Sequence, residues 1–174
     1  MIKPLGYGIL LALLSLPASA EVIEASPAGY KLRHEATSSL SVDDMWQRLI
    51  HPESWWDPSH TYSADSSNLS LKAEAGGAWR EDWPGGSVLH GTILTVVDKK
   101  MLRLDAPFGP LQSSGATVIW TITLKEKDAQ DGGGTLVVFD ETATGGSKSA
   151  LDTLAPAVDA VKQQAIKRLV TPSL

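Results

Sequence analysis

Apolar residues recur at helical spacing in two stretches of the chain. Between residues 42 and 50 they fall at i, i+3, i+4, i+7 and i+8, which places them on one stripe of a helix. Ser41 is a residue type that caps helices, and Pro52 predicts where this first helix ends. From Leu151 to Leu169 a second apolar stripe at helical spacing predicts a long C-terminal helix.

Alternation of apolar and polar residues, the pattern of a strand, occupies residues 30–37 and several later segments. The later segments are residues 69–75, 78–83, 88–97, 101–105, 116–125 and 135–142. The turns between them have the length and the glycine content of hairpins, so we expect an antiparallel sheet. The C-terminal helix is the one predicted element long enough to cover the apolar face of that sheet. The pattern therefore predicts an α+β domain.

The first 20 residues have the pattern of a secretory signal peptide. Lys3 provides a positive charge, residues 5–16 form an apolar run, and small residues precede Ala20, after which we expect cleavage. The apolar run is shorter than the about 20 residues that a membrane-spanning helix needs. We predict a soluble periplasmic or secreted protein with no membrane span in the mature chain. Residues 21–28 are expected to be a flexible leader, and residues 29–171 a single domain.

Composition removes several classes of function. The 15 Lys and Arg residues are outnumbered by 20 Asp and Glu residues and are not clustered, so nucleic acid is not an expected partner. The absence of Cys excludes disulfides, thiolate metal sites and a cysteine nucleophile. His51, Asp57, His60 and Asp65 have no recognised metal-ligand spacing, so neither a metal nor another cofactor is expected. His34 is expected at the surface or at the rim of a site.

One predicted hairpin brings a carboxylate and an imidazole together. If Pro84 faces Ser87, then Glu81 lies directly opposite His90. Burial raises the pKa of such a carboxyl group, whereas a charged imidazole lowers it. Three interpretations stay open: a buried pair that fixes the hairpin register, an anchor for a polar group of a ligand, or a general acid/base pair.

Aromatic residues are concentrated around the same hairpin. Five of the six tryptophans and Tyr62 lie between residues 46 and 83, where they can form either plain core or a pocket wall. Trp46 belongs to the helical stripe and is expected in the core, and at most one of Trp55 and Trp56 is expected to face inward. His60 and Tyr62 are expected near the entrance of a pocket. The predicted ligand-binding residues are Trp55, Trp56, His60, Tyr62, Trp79, Glu81, Trp83, His90 and Trp120.

The order of the elements and several short motifs carry a family resemblance. These motifs are Trp46 with Leu49, Pro52 with Trp55-Trp56, Ala75-Gly76-Gly77, Val88-Leu89-His90-Gly91, and the helix start at residues 151–159. Together they resemble the SRPBCC superfamily, which includes START lipid-transfer domains, the birch-pollen allergen group and polyketide cyclase/dehydrase proteins. The resemblance extends over essentially the whole mature chain.

This resemblance implies a helix-grip fold: a curved, seven-stranded antiparallel sheet around a long C-terminal helix, with one or two short helices after the first strand. Members of the family bind or transfer hydrophobic ligands, and a minority catalyse cyclisation or dehydration. We therefore expect a protein that binds a small hydrophobic or amphipathic ligand between sheet and helix. The alternatives are a cofactor-independent cyclase/dehydratase-like enzyme that uses Glu81 and His90, or a protein-interaction module with no cavity.

Overall fold

The computed structural model describes residues 19–171 of the chain. Apart from Ser19 and Ala20, the predicted signal peptide lies outside the described residues, and its cleavage stays a prediction. The strands are β1 Ser19–Ser26, β2 Gly29–Ser38, β3 Leu69–Leu71, β4 Ala78–Trp83, β5 Gly86–Val97, β6 Met101–Asp105, β7 Thr117–Glu126 and β8 Thr135–Thr144. The helices are α1 Val42–Leu49, α2 Pro110–Ser113 and α3 Leu151–Val170.

All strands of the described chain form one antiparallel sheet in the order β1-β2-β8-β7-β6-β5-β4-β3. The long helix α3 packs against β1, β2 and β8, and α1 contacts β7 and α3. The predicted α+β architecture, an antiparallel sheet covered by a long C-terminal helix, is confirmed. The sheet is helix-grip-like, but within residues 19–171 it has eight strands, one more than the seven predicted.

The additional strand is β1, which includes most of the segment expected to be a flexible leader. Its residues pair with β2 from Ser19 opposite Glu35 to Ser26 opposite Gly29. Pro27 and Ala28 form the turn between the two strands, so the proline marks a hairpin and not a disordered segment. Residues 22–28 are exposed, which explains why no core-facing alternation announces this strand.

The helix α1 has the boundaries that its sequence predicts. Oγ of Ser41 accepts a hydrogen bond from the backbone N–H of Asp44 at 3.1 Å, and Met45 and Leu49 are fully buried. Three single-turn 3-10 helices follow, at Pro52–Ser54, Pro58–His60 and Ser66–Asn68.

Two aspartates in this loop stabilise its turns. Oδ1 of Asp57 accepts the N–H of Ser59 at 2.8 Å, and Oδ1 of Asp65 accepts the N–H of Ser67 at 2.9 Å. Among residues 19–171, no three His, Cys, Asp or Glu side chains are grouped in a way that could hold a metal ion.

The helix α3 begins at Leu151, so Pro156 lies inside it and does not open it. Its buried side chains divide between two apolar clusters of the core. Leu151 and Ala155 pack with Tyr30 and Val118, whereas Leu169 packs in the larger cluster beneath α1. None of the helices within the described part of the chain is both long and apolar enough to cross a membrane.

Candidate functional site

A cavity of about 310 Å³ lies between the middle of α3, the sheet and the loops at residues 56–62 and 106–111. Most of its wall is apolar, and the apolar residues include Trp56, Ala106, Phe108, Leu111, Val158 and Val161. Its polar side chains include His60, Tyr62, His90, Glu141 and Lys162. A groove of about 850 Å³ between α1 and the β5–β6 turn is larger, but it is lined mainly by charged or exposed residues such as Asp98, Lys99 and Lys100. The smaller cavity is therefore the better candidate site.

The polar contact that the sequence predicts at this site is present. Nε2 of His90 lies 3.0 Å from Oε2 of Glu81, and Glu81 is fully buried. The carboxylate also accepts the backbone N–H groups of Tyr62 at 3.0 Å and Ser63 at 2.6 Å. Glu81 therefore joins the strand β4 to the loop that forms the mouth of the cavity.

The environments of the two side chains set their protonation. Burial acts to raise the pKa of Glu81, but the hydrogen bonds from Ser63, Tyr62 and His90 outweigh it, so the pKa is lowered. Burial lowers the pKa of His90, and the neighbouring carboxylate compensates only in part. At neutral pH the pair is therefore an ionised carboxylate and a neutral imidazole. The imidazole donates its Nε2 proton to Glu81, which leaves Nδ1 as a hydrogen-bond acceptor.

The register of this hairpin differs from the prediction. Pro84 and Gly85 form the two-residue turn, and Glu81 is paired with Val88 instead of His90. Proline and a glycine with φ of 92° suit the two central turn positions, which fixes the turn one residue earlier than predicted. A bulge then makes His90 an extra residue on β5, between the pairs Trp79 with Gly91 and Arg80 with Leu89.

A second polar cluster borders the cavity on the side of α3. Nζ of Lys162 lies 2.7 Å from Oε2 of Glu141, whose Oε1 accepts the hydroxyl proton of Tyr30 at 2.7 Å. The contact between Lys162 and Glu141 is close but lacks the angles of a hydrogen bond, so we describe it as an ion pair only. Burial lowers the pKa of Lys162 against the opposing effect of Glu141, and burial, followed by the charge and hydrogen bond of Glu141, raises the pKa of Tyr30.

The ammonium group of Lys162 also lies against aromatic rings. Its Nζ is 3.1 Å from the centroid of the Trp120 ring and 4.9 Å from that of Phe108. Both side chains of the ion pair are about 97% buried. The pair is electrically neutral as a unit, so the cavity carries a strong local dipole but little net charge on this side.

The predicted tryptophans have three different locations. Trp56 lines the cavity, whereas Trp55, Trp79 and Trp120 lie behind it. The four rings form one aromatic cluster in which neighbouring centroids are 5.5 to 6.3 Å apart. Trp55 and Trp56 are both buried, so the expectation that at most one faces inward is wrong. Their indole N–H groups donate to backbone carbonyl groups, which makes burial of both possible.

Trp83 was predicted to lie in the site, but in the structure it lies outside it. It is half-buried at the end of β4, outside the cavity, and its ring covers Gly86. The one-residue change in the turn places Trp83 opposite Gly86, and a Cβ atom at that glycine would lie 2.4 Å from the indole. Trp83 therefore packs over its own hairpin turn.

The mouth of the cavity is held by contacts between the loop and α3. Nε2 of His60 lies 3.0 Å from Oε1 of Gln164, and the amide nitrogen of Gln164 donates to Asp57 at 2.7 Å. Arg168 donates to the backbone carbonyl of Trp55 at 2.8 Å. His60 and Tyr62 line the cavity as predicted, and Tyr62 is exposed at its rim.

His34 was expected at the surface or a rim, and it is buried instead. Its Nε2 lies 2.8 Å from Oδ1 of Asp159 on α3. Burial lowers the pKa of His34, with Lys162 acting in the same direction and Asp159 against it. It faces inward because it occupies a core-facing position of β2, between Leu32 and Ala36.

Glu141, Lys162 and Phe108 are among the cavity residues that the sequence analysis missed. The sequence does contain a signal for the first two. Glu141 continues the inward alternation of Val137 and Phe139, and Lys162 lies on the apolar stripe of α3. A charged residue at such a position is often a buried and paired one.

The fold is similar to solved bacterial proteins. Protein Ms6760 from Mycobacterium smegmatis has a TM-score of 0.56 at 18% identity, with 88% of this chain and 95% of that chain covered. A protein from Rhodobacter sphaeroides has a TM-score of 0.56 at 14% identity, with 87% and 96% covered. EF2215 from Enterococcus faecalis, described as a conserved protein of unknown function, has a TM-score of 0.55 at 17% identity, with 88% and 74% covered. These identities support a common fold and carry no assignment of function.

No protein-family model matches the chain. A stretch of 58 residues is 38% identical to protoporphyrinogen oxidase 1 of Spinacia oleracea, and a similar stretch is 39% identical to protoporphyrinogen oxidase of Oryza sativa. The stretches cover 33% and 32% of this chain, and each spans 10% of the relative's length. So short a match shows neither a family nor an activity for this chain.

Proposed function

We propose that this protein binds a small, mainly apolar molecule in the cavity between α3 and the sheet. The observation that carries the proposal is the cavity itself, about 310 Å³ with apolar walls and few polar groups. That volume is at the lower end of the about 300–1,000 Å³ typical of ligand pockets, so the ligand is small. The rigid aromatic cluster behind the wall supports a preformed site.

The charges around the cavity favour an uncharged ligand. Lys162 is paired with Glu141, and the neutral His90 is paired with the carboxylate of Glu81. An anionic ligand would therefore meet two carboxylates and only one, already paired, ammonium group. A cation would have to compete with Lys162 for Glu141. An uncharged molecule with one or two polar groups avoids both costs.

Family and location are part of the same proposal. Sheet and C-terminal helix are arranged as the resemblance to SRPBCC proteins implies, and a cavity between them is where those proteins bind hydrophobic ligands. The signal-peptide pattern of residues 1–20 supports export to the periplasm or outside the cell. Expression of the full chain in a bacterium, cell fractionation and an intact-mass measurement test this part. A product that begins at Glu21 in the exported fraction is expected, and an uncleaved cytosolic product would contradict it.

The binding proposal is tested first on protein purified from its own compartment. Native mass spectrometry before and after organic extraction detects a bound molecule and gives its mass. A stoichiometric small molecule that is lost on extraction supports the proposal. An unliganded mass, together with no binding of 2-naphthol, 2-acetylnaphthalene, 1-octanol or 2-octanone by calorimetry, overturns it and favours a protein-interaction module.

A second candidate function is a cofactor-independent enzyme that moves a proton through His90. The observation that favours it is the Glu81–His90 contact, because an ionised carboxylate that holds a neutral imidazole is the arrangement of a general base. A turnover assay with the extracted ligand separates the two functions. An enzyme should lose activity in both His90→Gln and Glu81→Gln, with a rate that falls as His90 becomes protonated.

A further inference from the structure

The donor and acceptor pattern of His90 restricts the polar group of the ligand. The imidazole lines the cavity, and its Nε2 faces the carboxylate of Glu81 at 3.0 Å. The backbone N–H groups of Tyr62 and Ser63 also donate to that carboxylate, so Glu81 is surrounded by donors and is kept ionised. A carboxylate accepts and does not donate, and therefore the proton of the neutral imidazole must be on Nε2.

This assignment leaves Nδ1 of His90 with a lone pair and no proton. Among residues 19–171, Nδ1 has no hydrogen-bond partner, and it is not one of the fully buried polar atoms. Since His90 lines the cavity, we infer that the lone pair faces a molecule inside it. The rings of Phe108 and Tyr62 lie near the imidazole, with centroids 5.2 and 5.9 Å from that of His90.

Glu141, Lys162 and His60, which also line the cavity, are engaged with partners of their own. Oε2 of Glu141 is fully buried beside Nζ of Lys162, and Oε1 accepts the hydroxyl proton of Tyr30. Nε2 of His60 is held by Gln164 at the mouth. A ligand that reaches His90 with a carbonyl or ether oxygen would bring two lone pairs together, whereas a hydroxyl group would donate a hydrogen bond.

We propose that the ligand is an uncharged alcohol or phenol whose O–H donates to Nδ1 of His90. This inference rests on the proposed binding function and adds the chemical class of the molecule. Glu81 acts as a positioning residue, because it selects the tautomer of His90 without touching the ligand. The apolar walls then accept the carbon skeleton of the alcohol or phenol.

The test compares pairs of probes that differ at the polar group. Calorimetry at pH 7.5 measures the binding of 2-naphthol against 2-acetylnaphthalene, and of 1-octanol against 2-octanone. We expect the hydroxyl compound of at least one pair to bind about five- to tenfold more tightly, the factor that one neutral hydrogen bond supplies. Equal affinities within both pairs, or a preference for the ketones, would overturn the inference but leave the binding function standing. If none of the four probes binds and the purified protein carries no extractable molecule, the binding function itself fails; an extracted molecule without a hydroxyl group would overturn this inference alone.

The variant His90→Gln isolates Nδ1. The amide nitrogen of glutamine can still donate to Glu81 from the position of Nε2, but no acceptor remains where Nδ1 was. We expect the hydroxyl compound to lose its five- to tenfold preference over the ketone, whatever the substitution does to the two affinities together. His51→Gln, at an exposed histidine outside the cavity, should keep the preference. A His90→Gln protein that keeps the preference would contradict the role of Nδ1.

Nitrogen-15 NMR of the unmodified protein tests the tautomer directly, whether or not the variant folds. The expected spectrum at pH 7.5 has a protonated Nε2 and an unprotonated Nδ1 for His90, and 2-naphthol should shift the Nδ1 resonance. A protonated Nδ1 would overturn the inference.

Discussion

Nε2 of His90 and Oε2 of Glu81 are 3.0 Å apart although the two residues are not opposite each other in the β4–β5 ladder. Glu81 is paired with Val88, and His90 is the extra residue of a bulge. The bulge turns the imidazole toward the carboxylate and toward the cavity at once. The same carboxylate accepts two N–H groups of the loop at Tyr62 and Ser63, so one buried charge connects the sheet, the cavity wall at His90 and the mouth of the cavity.

Glu81→Gln should destabilise the protein and loosen this loop. An amide cannot accept hydrogen bonds at both of its ends, so one backbone N–H, of Tyr62 or of Ser63, would face an NH₂ group. We expect a loss of about 2 kcal/mol in the free energy of unfolding by urea, the usual cost of a buried group left unpaired. Hydrogen exchange at the amides of Tyr62 and Ser63 should become faster.

The control for this prediction is Asp82→Asn on the same strand. Asp82 is exposed and pairs only with the exposed Arg80, so stability and amide exchange should change little. Equal effects of the two substitutions would show that Glu81 does not hold the loop.

Much of the fold can be predicted from hydrophobic periodicity, because the positions that face the core are apolar. The stripes of α1 and α3, and the alternation of β2 around Leu32, are read directly from the sequence and are confirmed. The strand β1 cannot be read from the sequence in this way. Its exposed residues 22–26 are held mainly by backbone pairing with β2, and backbone pairing leaves no periodic apolar pattern in the sequence.

The site is less predictable than the fold because it depends on single-residue shifts. The contact of Glu81 and His90 follows from their placement on adjacent strands, but the register does not, since the turn at Pro84 and the bulge at His90 each change it by one residue. Gly91 is the sequence signal for the bulge: a Cβ atom there would lie 2.9 Å from the Cβ of Ala106. Strand alternation places Trp83 on the face of Glu81, but Trp83 lies at the end of β4 over the turn and does not line the cavity.

Stability should decrease as the pH falls below about 6.5. The pKa values of His34 and His90 are both lowered from 6.5 in the folded protein, chiefly by burial. Below pH 6.5 the unfolded chain therefore binds more protons than the folded protein. The stability that is present above pH 6.5 is lost as the pH falls through the pKa values that the two histidines have in the folded protein. The lowered pKa of Glu81 extends the loss below its ordinary value of 4.5.

Urea unfolding at pH 7.5 and pH 5.5 measures this dependence. The decrease between the two values should become smaller in His34→Gln and smaller again in the double variant with His90→Gln. His51→Gln, at an exposed histidine, should leave the decrease unchanged. A protein that is equally stable or more stable at pH 5.5 would contradict the burial of neutral histidines.

Lys162→Met should cost more stability than the loss of one apolar contact. Methionine can still pack on Trp120, but Glu141 would remain buried with only Tyr30 as a partner. Removal of one partner of a buried ion pair typically costs about 3–5 kcal/mol. The double variant Lys162→Met/Glu141→Gln removes the uncompensated charge and keeps an acceptor for Tyr30, so it should recover most of the loss.

Urea unfolding of the two single variants and the double variant forms a double-mutant cycle. We expect the double variant to be more stable than Lys162→Met alone, which gives a coupling energy of opposite sign to the single losses. Additive losses would mean that the 2.7 Å contact of Lys162 and Glu141 does not contribute to the folded state.

Val161→Trp should abolish binding without unfolding the protein. Val161 is half-buried on the wall of the cavity, and the extra volume of an indole occupies much of about 310 Å³. Ala160, its neighbour on α3, is exposed and does not line the cavity, so Ala160→Trp adds the same side chain to the same helix outside the site. Calorimetry with the tighter-binding hydroxyl compound should show at least a tenfold weaker affinity for Val161→Trp and no change for Ala160→Trp. Equal affinities of both variants would place the binding site elsewhere, even if the wild-type protein prefers hydroxyl compounds.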